Sequence, residues 1–383
     1  MSGVATPVKT QESKLAFWSR AMRSLSTNVV EDPRSAPFHF RQSGTHPDDT
    51  LFVERLRMVQ PAENPSSSEF RHKPVMLDEI VELFASVPEG VIIDTTLGGA
   101  GHSTALLAAY PHIKVLGLDR DEVAVAAATK ALAPYGDRAQ IKNVRFDELQ
   151  SAAASTFPGL PIVGVLFDLG VSSHHLDAAE RGFSYRAAGP LDMRMDRRQA
   201  LTAAQVVNEY DETSLVRVLR DGGEDQFAAR IARNLINARP INDTATLAEV
   251  VRESIPAPAR RRRGDPAKRS FQAIRLEVND ELKVLERAIR AAIETVVTGG
   301  RIVTLAYHSG EDRLIKKYFT SAVSGDCACP PQLPCVCGAE SRARSLTRGS
   351  QKPTLDEVNT NKRAASARLR AIEMIPPVKS RPA

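Results

Sequence analysis

The chain repeats one pattern: a short β-branched run, an acid or glycine at its end, then an Ala- or Leu-rich stretch with helical spacing. Val91-Ile92-Ile93 is the first such run, and β-branched residues without alternation suit a strand covered on both faces. Ile113 to Asp119, Gln140 to Val144, Ile162 to Phe167 and Arg301 to Ala306 repeat it. Helices are predicted over Asp78 to Ala85, Ser103 to Tyr110 and Asp121 to Leu132. This alternation predicts an α/β fold with a doubly wound parallel sheet.

The alternation stops between about Leu176 and Ser270, where only helical spacing remains: Ala203 to Glu209, Glu212 to Arg220, Gln226 to Ala238 and Leu247 to Ser254. An all-helical insertion after the fourth strand would overhang the carboxyl edge of the sheet. Ala273 to Val297 reads as one long helix returning to that sheet. The expected organisation is a Pro- and Ser-rich, flexible extension over 1–69, with one helix near Leu51 to Val59; a first sheet segment over 70–175; a helical insertion for substrate recognition over 176–272; a second sheet segment over 273–325; and a Cys cluster with a basic tail over 326–383.

Chemistry concentrates where the first strand ends. Asp94 precedes a turn containing Gly98, Gly99 and Gly101, and the following helix would point its free N–H groups into the same crevice. Gly99-Ala100-Gly101-His102-Ser103-Thr104 lacks the third glycine of the dinucleotide fingerprint. A carboxylate at Asp94 repels a pyrophosphate but suits a cationic ligand such as S-adenosylmethionine, which weighs against NAD. Asp119, at the end of the second strand, is placed to accept hydrogen bonds from both ribose hydroxyls. Asp168 ends the fourth strand, and Tyr307-His308-Ser309 follows the fifth. His308 there is either a substrate-positioning group or a satisfied turn residue.

Composition adds three points. The chain has 383 residues, 42% apolar and 25% charged, with no apolar run long enough to span a membrane and no secretory h-region, so a cytoplasmic protein is expected. The net charge of +5 is unevenly spread: Arg260, Arg261, Arg262 and Arg263 form a run, and the residues after Ser341 are predominantly basic. Such clusters suit a polyanion. All four cysteines fall in Cys327-Ala328-Cys329 and Cys335-Val336-Cys337, a spacing that suits structural zinc, with reduced thiols as the alternative.

Several stretches, in order, are similar to one family: Phe70-Arg71-His72; Gly98 to Ser103; Phe167 to Ser173; Glu180 to Tyr185; Gly189 to Asp196; Arg269 to Arg275; and Tyr307-His308-Ser309. The chain resembles the bacterial ribosomal RNA small subunit methyltransferase H family, the MraW type, from about Phe70 to Leu369. The resemblance implies a Rossmann-like class I methyltransferase sheet with an inserted all-helical domain. It implies S-adenosylmethionine-dependent methylation of the exocyclic N4 of a decoding-region cytidine in 16S rRNA, within the 30S subunit or a late precursor. The cofactor contacts it implies fall on Ala100, Gly101, His102, Asp119, Phe146, Asp168 and His175, with Asp94, Gly98 and Gly99 supporting. His175 stands where the family has Gln, Gly310 where it has Leu, Lys362 where it has Pro and Ala365 where it has Arg. The first 69 residues have no counterpart in the family pattern.

Asp168 is expected to orient the cofactor or N4, with Phe183, Tyr185 or Phe271 stacking on a flipped base or, alternatively, packing the insertion. Arg194, Arg260 to Arg263, Lys268, Arg269 and Arg313 are candidates for the RNA backbone. The rival readings are a methyltransferase on another amine, in nucleic acid or protein, and a non-catalytic nucleotide-binding assembly factor. No membrane partner is expected; the oligomeric state stays open, a homodimer among the alternatives.

Overall fold

The computed structural model describes residues 74–171, 176–263, 265–330 and 336–379, with the side chains of 262 and 263 outside that description. The expected N-terminal extension, His175 and Cys335 therefore lie outside the described residues. Helix α1 (Leu77–Leu83) leads into strand β1 (Gly90–Asp94) and helix α2 (Gly101–Ala109). There follow β2 (Ile113–Leu118), α3 (Glu122–Leu132), β3 (Ala139–Lys142), α4 (Leu149–Thr156) and β4 (Ile162–Asp168). The insertion contributes α5 (Ala203–Glu209), α6 (Glu212–Asp221), α7 (Ala228–Asn237), α8 (Thr244–Ser254), α9 (Ala257–Arg263) and α10 (Ala267–Asn279). Helix α11 (Glu281–Thr295), β5 (Arg301–Ala306), α12 (Ser309–Ser324), β6 (Glu340–Ser345), α13 (Leu355–Thr360) and β7 (Arg368–Lys379) complete the chain.

The sheet has seven strands in the order β3-β2-β1-β4-β5-β7-β6. β1 to β5 run parallel, whereas β7 lies antiparallel between β5 and β6. β1 pairs with β2 on one side and β4 on the other, so the strand order reverses there and opens a crevice at the carboxyl ends. Residues of β1 alternate between two cores: Val91 and Ile93 pack with α4, α11 and α12, and Ile92 with α1, α2 and α3. Both faces are thus covered, which is why β1 reads as an unbroken apolar run.

Two elements differ from the sequence expectation. The basic tail supplies β6 and β7: Leu369, Ala371, Ile372 and Met374 are buried, while Arg370 points to an ion pair with Asp312 at 2.8 Å. The interspersed arginines mask the apolar positions. The long helix expected over Ala273 to Val297 is two helices, broken at Asp280, whose φ of 50° is left-handed. Asn and Asp tolerate that conformation, and the Asn279 side chain takes up backbone groups elsewhere.

The insertion has its own core, to which Phe271, Ala273, Ile274 and Val278 of α10 contribute. Helices α6 and α8 start on side-chain caps: Asp211 accepts from Ser214 N–H at 2.7 Å and Asp243 from Ala245 and Thr246 N–H at 2.9 Å. Asn279 ties the end of α10 to the segment before α5. Its Oδ1 accepts from Met195 N–H at 2.9 Å, and its Nδ2 donates to Met193 O at 2.8 Å. Both partner groups are buried, so Asn279→Ala would leave an amide and a carbonyl unpaired, at a cost of about 1–3 kcal/mol. The urea midpoint of the variant is expected to fall accordingly; an unchanged midpoint would show that other groups satisfy this turn.

Candidate active site at the carboxyl edge of the sheet

The glycine loop is fixed from beneath. Gly98 has a φ of 49°, and Ala100, the residue before α2, a φ of 60°. A Cβ on Gly101 would lie 2.4 Å from Pro74 Cγ, so this glycine serves close packing. A Cβ on Gly99 would meet nothing within 4 Å, so its backbone faces open space. Asp119 joins this loop to the end of β2: Oδ2 accepts from Gly98 N–H and Oδ1 from Asp121 N–H, both at 2.9 Å. Asp119 thus sits between the glycine loop and the first residues after β2.

Asp94 is 2% exposed and sits under the loop. Its Oδ2 accepts from the Ser103 hydroxyl at 2.6 Å, and its Oδ1 from Thr96 N–H at 3.3 Å. Burial pushes the carboxyl up from its ordinary value, against the pull of Ser103 and His102. Asp94 thus braces β1, the loop and α2.

Asp168 gathers the most elements. Its N–H donates to Thr96 Oγ1 at 2.8 Å. Its Oδ1 accepts from the Tyr307 hydroxyl at 2.7 Å, and its Oδ2 lies 3.6 Å from His102 Nδ1. The other nitrogen of that ring, Nε2, is 3.0 Å from Val75 O, a group that only accepts, so Nε2 carries a proton. Burial, then the charge of Asp168, pushes the Tyr307 phenol well above its ordinary value, which keeps its hydroxyl a donor. The Asp168 side chain is 19% exposed. Phe146 lies past the end of β3, edge-on to Phe167 with ring centroids 6.1 Å apart.

His308 is engaged differently from Tyr307. Its Nδ1 accepts from Gly310 and Glu311 N–H at 3.2 and 3.4 Å, capping α12. Its Nε2 lies 3.1 Å from Glu311 Oε1 without the alignment of a hydrogen bond. Both ring nitrogens thus lie against the start of α12, with Nδ1 the capping acceptor. Tyr307 is the member of the motif that meets Asp168, and only their spatial contact distinguishes it from its neighbour.

The expected RNA contacts divide. Phe183 and Phe271 are 6% and 4% exposed; Phe271 packs edge-on to Tyr185 at 5.1 Å within the insertion core. The Arg181 guanidinium stands 6.0 Å from the Phe183 ring centroid. These two rings present little face to a base. Tyr185 is half-buried under the Arg252 guanidinium, 5.6 Å from its ring centroid. Arg194 is locked by its own turn: Nε and Nη2 donate to Asp192 at 2.7 and 3.1 Å, and Nη1 to Arg197 O and Gln199 O. Arg260, Arg261, Lys268, Arg269 and Arg313 are exposed.

Charge-based reading missed the groups that seat the insertion beside this crevice. Arg120, immediately after Asp119, is buried and donates to Asn279 O at 3.1 Å. Arg181 is buried against Asp121 at 3.0 Å and donates to Arg194 O at 2.9 Å. Nothing in the chain marks these arginines apart from the exposed ones.

The reversed strand order, the glycine loop after β1 and the acids ending β2 and β4 define a class I methyltransferase fold. The MraW methylase family model matches residues 69–375. The chain belongs to that family. Among its relatives, a ribosomal RNA small subunit methyltransferase H of Mycobacterium sp. strain KMS is 47% identical over 313 residues, covering 79% of this chain and 84% of its own. The protein of that name from Frankia alni is 48% identical over 316 residues, covering 80% and 96%. The one from Acidothermus cellulolyticus is 49% identical over 312 residues, covering 79% and 94%.

Glu311 offers a direct test of the α12 cap. Burial raises its carboxyl, but His308, Arg275 and Tyr307 N–H outweigh burial and hold it below its ordinary value of 4.5. Its contribution to stability is therefore full above about 4.5 and lost as pH falls through the lower folded value. Glu311→Gln is expected to melt below the parent protein at neutral pH, with the gap closing in acid. A gap independent of pH would contradict the assignment.

Proposed function

We propose that this protein transfers the methyl group of S-adenosylmethionine to the exocyclic N4 of a cytidine in the decoding region of 16S rRNA. The observation that carries the reading is the Asp168 carboxylate, held by Tyr307 at 2.7 Å beside the loop that Asp119 anchors. Family membership supports methyl transfer, and the relatives' names point to small-subunit rRNA.

The crevice fits the cofactor chemically. Open space at Gly99 and the carboxylates of Asp119, Asp94 and Asp168 gathered around it suit a ligand with ribose hydroxyls and cationic groups. Bound S-adenosylmethionine would supply a methyl already activated on a sulfonium. The residues then have two tasks: alignment of the amine with that methyl, and exclusion of water. The lone pair of cytosine N4 is conjugated into the ring. Asp168 Oδ2, accepting a hydrogen bond from N4–H, draws electron density back onto the nitrogen. Once N4 has accepted the methyl, Asp168 would take its surplus proton and pass it to solvent. Tyr307 holds Oδ1 and so leaves Oδ2 for the substrate. The tyrosine thereby fixes the orientation of the carboxylate.

The insertion guides the RNA. Arg260 and Arg261 on α9, with Lys268 and Arg269 at the start of α10, are exposed and make no ion pair among the described residues. They form a positive edge that binds phosphates without reading sequence.

Methyl-labelled cofactor, incubated with 30S particles and with naked 16S rRNA, tests the reading through nucleoside mass spectrometry. N4-methylcytidine is expected, with transfer falling as salt rises. A different modified nucleoside would favour another amine substrate, and no transfer to any particle would favour an assembly factor. Arg260→Glu with Arg261→Glu is expected to weaken RNA binding and flatten its salt dependence; binding equal to the parent at all salt concentrations would remove α9 from the interface.

A further inference from the structure

The cysteine loop lies apart from the crevice. Helix α12 has 16 residues, so its two ends are about 24 Å apart. Its amino end carries the Tyr307-His308 turn, and its carboxyl end delivers the chain to Cys327. The loop leaves and returns at one point: a Cβ on Gly325 would lie 2.5 Å from the carbonyl carbon of Glu340, where β6 begins. Ser321 donates to Asp326 at 2.6 Å near the start of the loop.

Within this loop the Sγ atoms of Cys327, Cys329 and Cys337 all lie within 4.8 Å of one another. None of the three is in a disulfide. Cys327 Sγ and Cys337 Sγ are 3.7 Å apart. A disulfide requires about 2.05 Å. Thiolates bound at about 2.3 Å to one tetrahedral ion stand about 3.8 Å from each other. The observed separation matches that of two ligands on one metal and excludes a disulfide between these two sulfurs. Val336 N–H, the amide before Cys337, points at Cys329 Sγ at 3.4 Å. An amide aimed at sulfur stabilises the thiolate and orients it, as outer-shell groups do around bound metals.

We propose that Cys327, Cys329 and Cys337 bind one Zn²⁺ as thiolates. Binding takes up the ion and releases the thiol protons to solvent, with no change of oxidation state. Three sulfur ligands select a borderline-soft ion over Mg²⁺ or Ca²⁺. Because α12 separates the cluster from Asp168, the metal is structural. It closes the connection between α12 and the edge strand β6, and so fixes an edge that carries the exposed Arg344.

The test uses the untagged full chain, purified without chelator, then stripped and reloaded with Zn²⁺ or Co²⁺ alone. One zinc per chain is expected by elemental analysis. The cobalt form is expected to show a sulfur-to-cobalt charge-transfer band and the strong visible bands of tetrahedral coordination. The variant with Cys327→Ser, Cys329→Ser and Cys337→Ser is expected to lose both, and stripping the parent to speed proteolytic cutting between α12 and β6. Wild-type chain with negligible zinc and no charge-transfer band would overturn the proposal, whatever the variant's folding. So would full zinc retention by the variant, or thiol titration showing a disulfide between Cys327 and Cys337.

Discussion

The hydrogen bond from Tyr307 to Asp168 holds the carboxyl edge together. It joins the end of β5 to the end of β4, on the strand that borders the point where the sheet order reverses. Around it, Thr96 ties the loop after β1 to Asp168, and His102 brings in the first turn of α2. A half-buried carboxylate needs such partners, because an unpaired charge there would cost more than the fold can offset. Tyr307 takes Oδ1, while Oδ2 has the 3.6 Å approach of His102 and no hydrogen bond among the described residues. Stability and proposed chemistry therefore rest on one group.

The second constraint is the seat of the insertion. Arg120 and Asp121 directly follow Asp119, and they meet Asn279 and Arg181 of the inserted segment. Burial pushes the Arg120 guanidinium down from its ordinary value, opposed by the charge of Glu281. A buried arginine is tolerated only where its donors are met, here by Asn279 O and the Met195 sulfur. The segment after β2 and the base of the helical insertion thus share one set of contacts.

Much of this was legible in the chain. β1 and its glycine loop stand out because both faces of the strand are buried and the turn needs a left-handed residue at Gly98. The insertion stands out because strand patterning stops. β7 does not, since arginines alternate with its buried residues and read as a charged tail. The break at Asp280 is invisible to spacing, because α10 and α11 keep similar patterns across it. Site residues follow the same logic. Asp119 and Asp168 announce themselves at strand ends. The partner of Asp168 does not, because Tyr307 and His308 are adjacent and only packing decides which faces the crevice. Arg194 looked available until Asp192, two residues away, proved to hold it.

The central claim is that Tyr307 acts through Asp168 to present a hydrogen-bond acceptor to the reacting amine. A double-mutant cycle measures it directly. Single-turnover methyl transfer would be followed in the parent, Tyr307→Phe, Asp168→Asn and the double variant, with cofactor affinity measured in each. The account predicts slower transfer in both single variants and a double variant little worse than Asp168→Asn alone. Independent, additive losses, or full activity in Asp168→Asn, would contradict it.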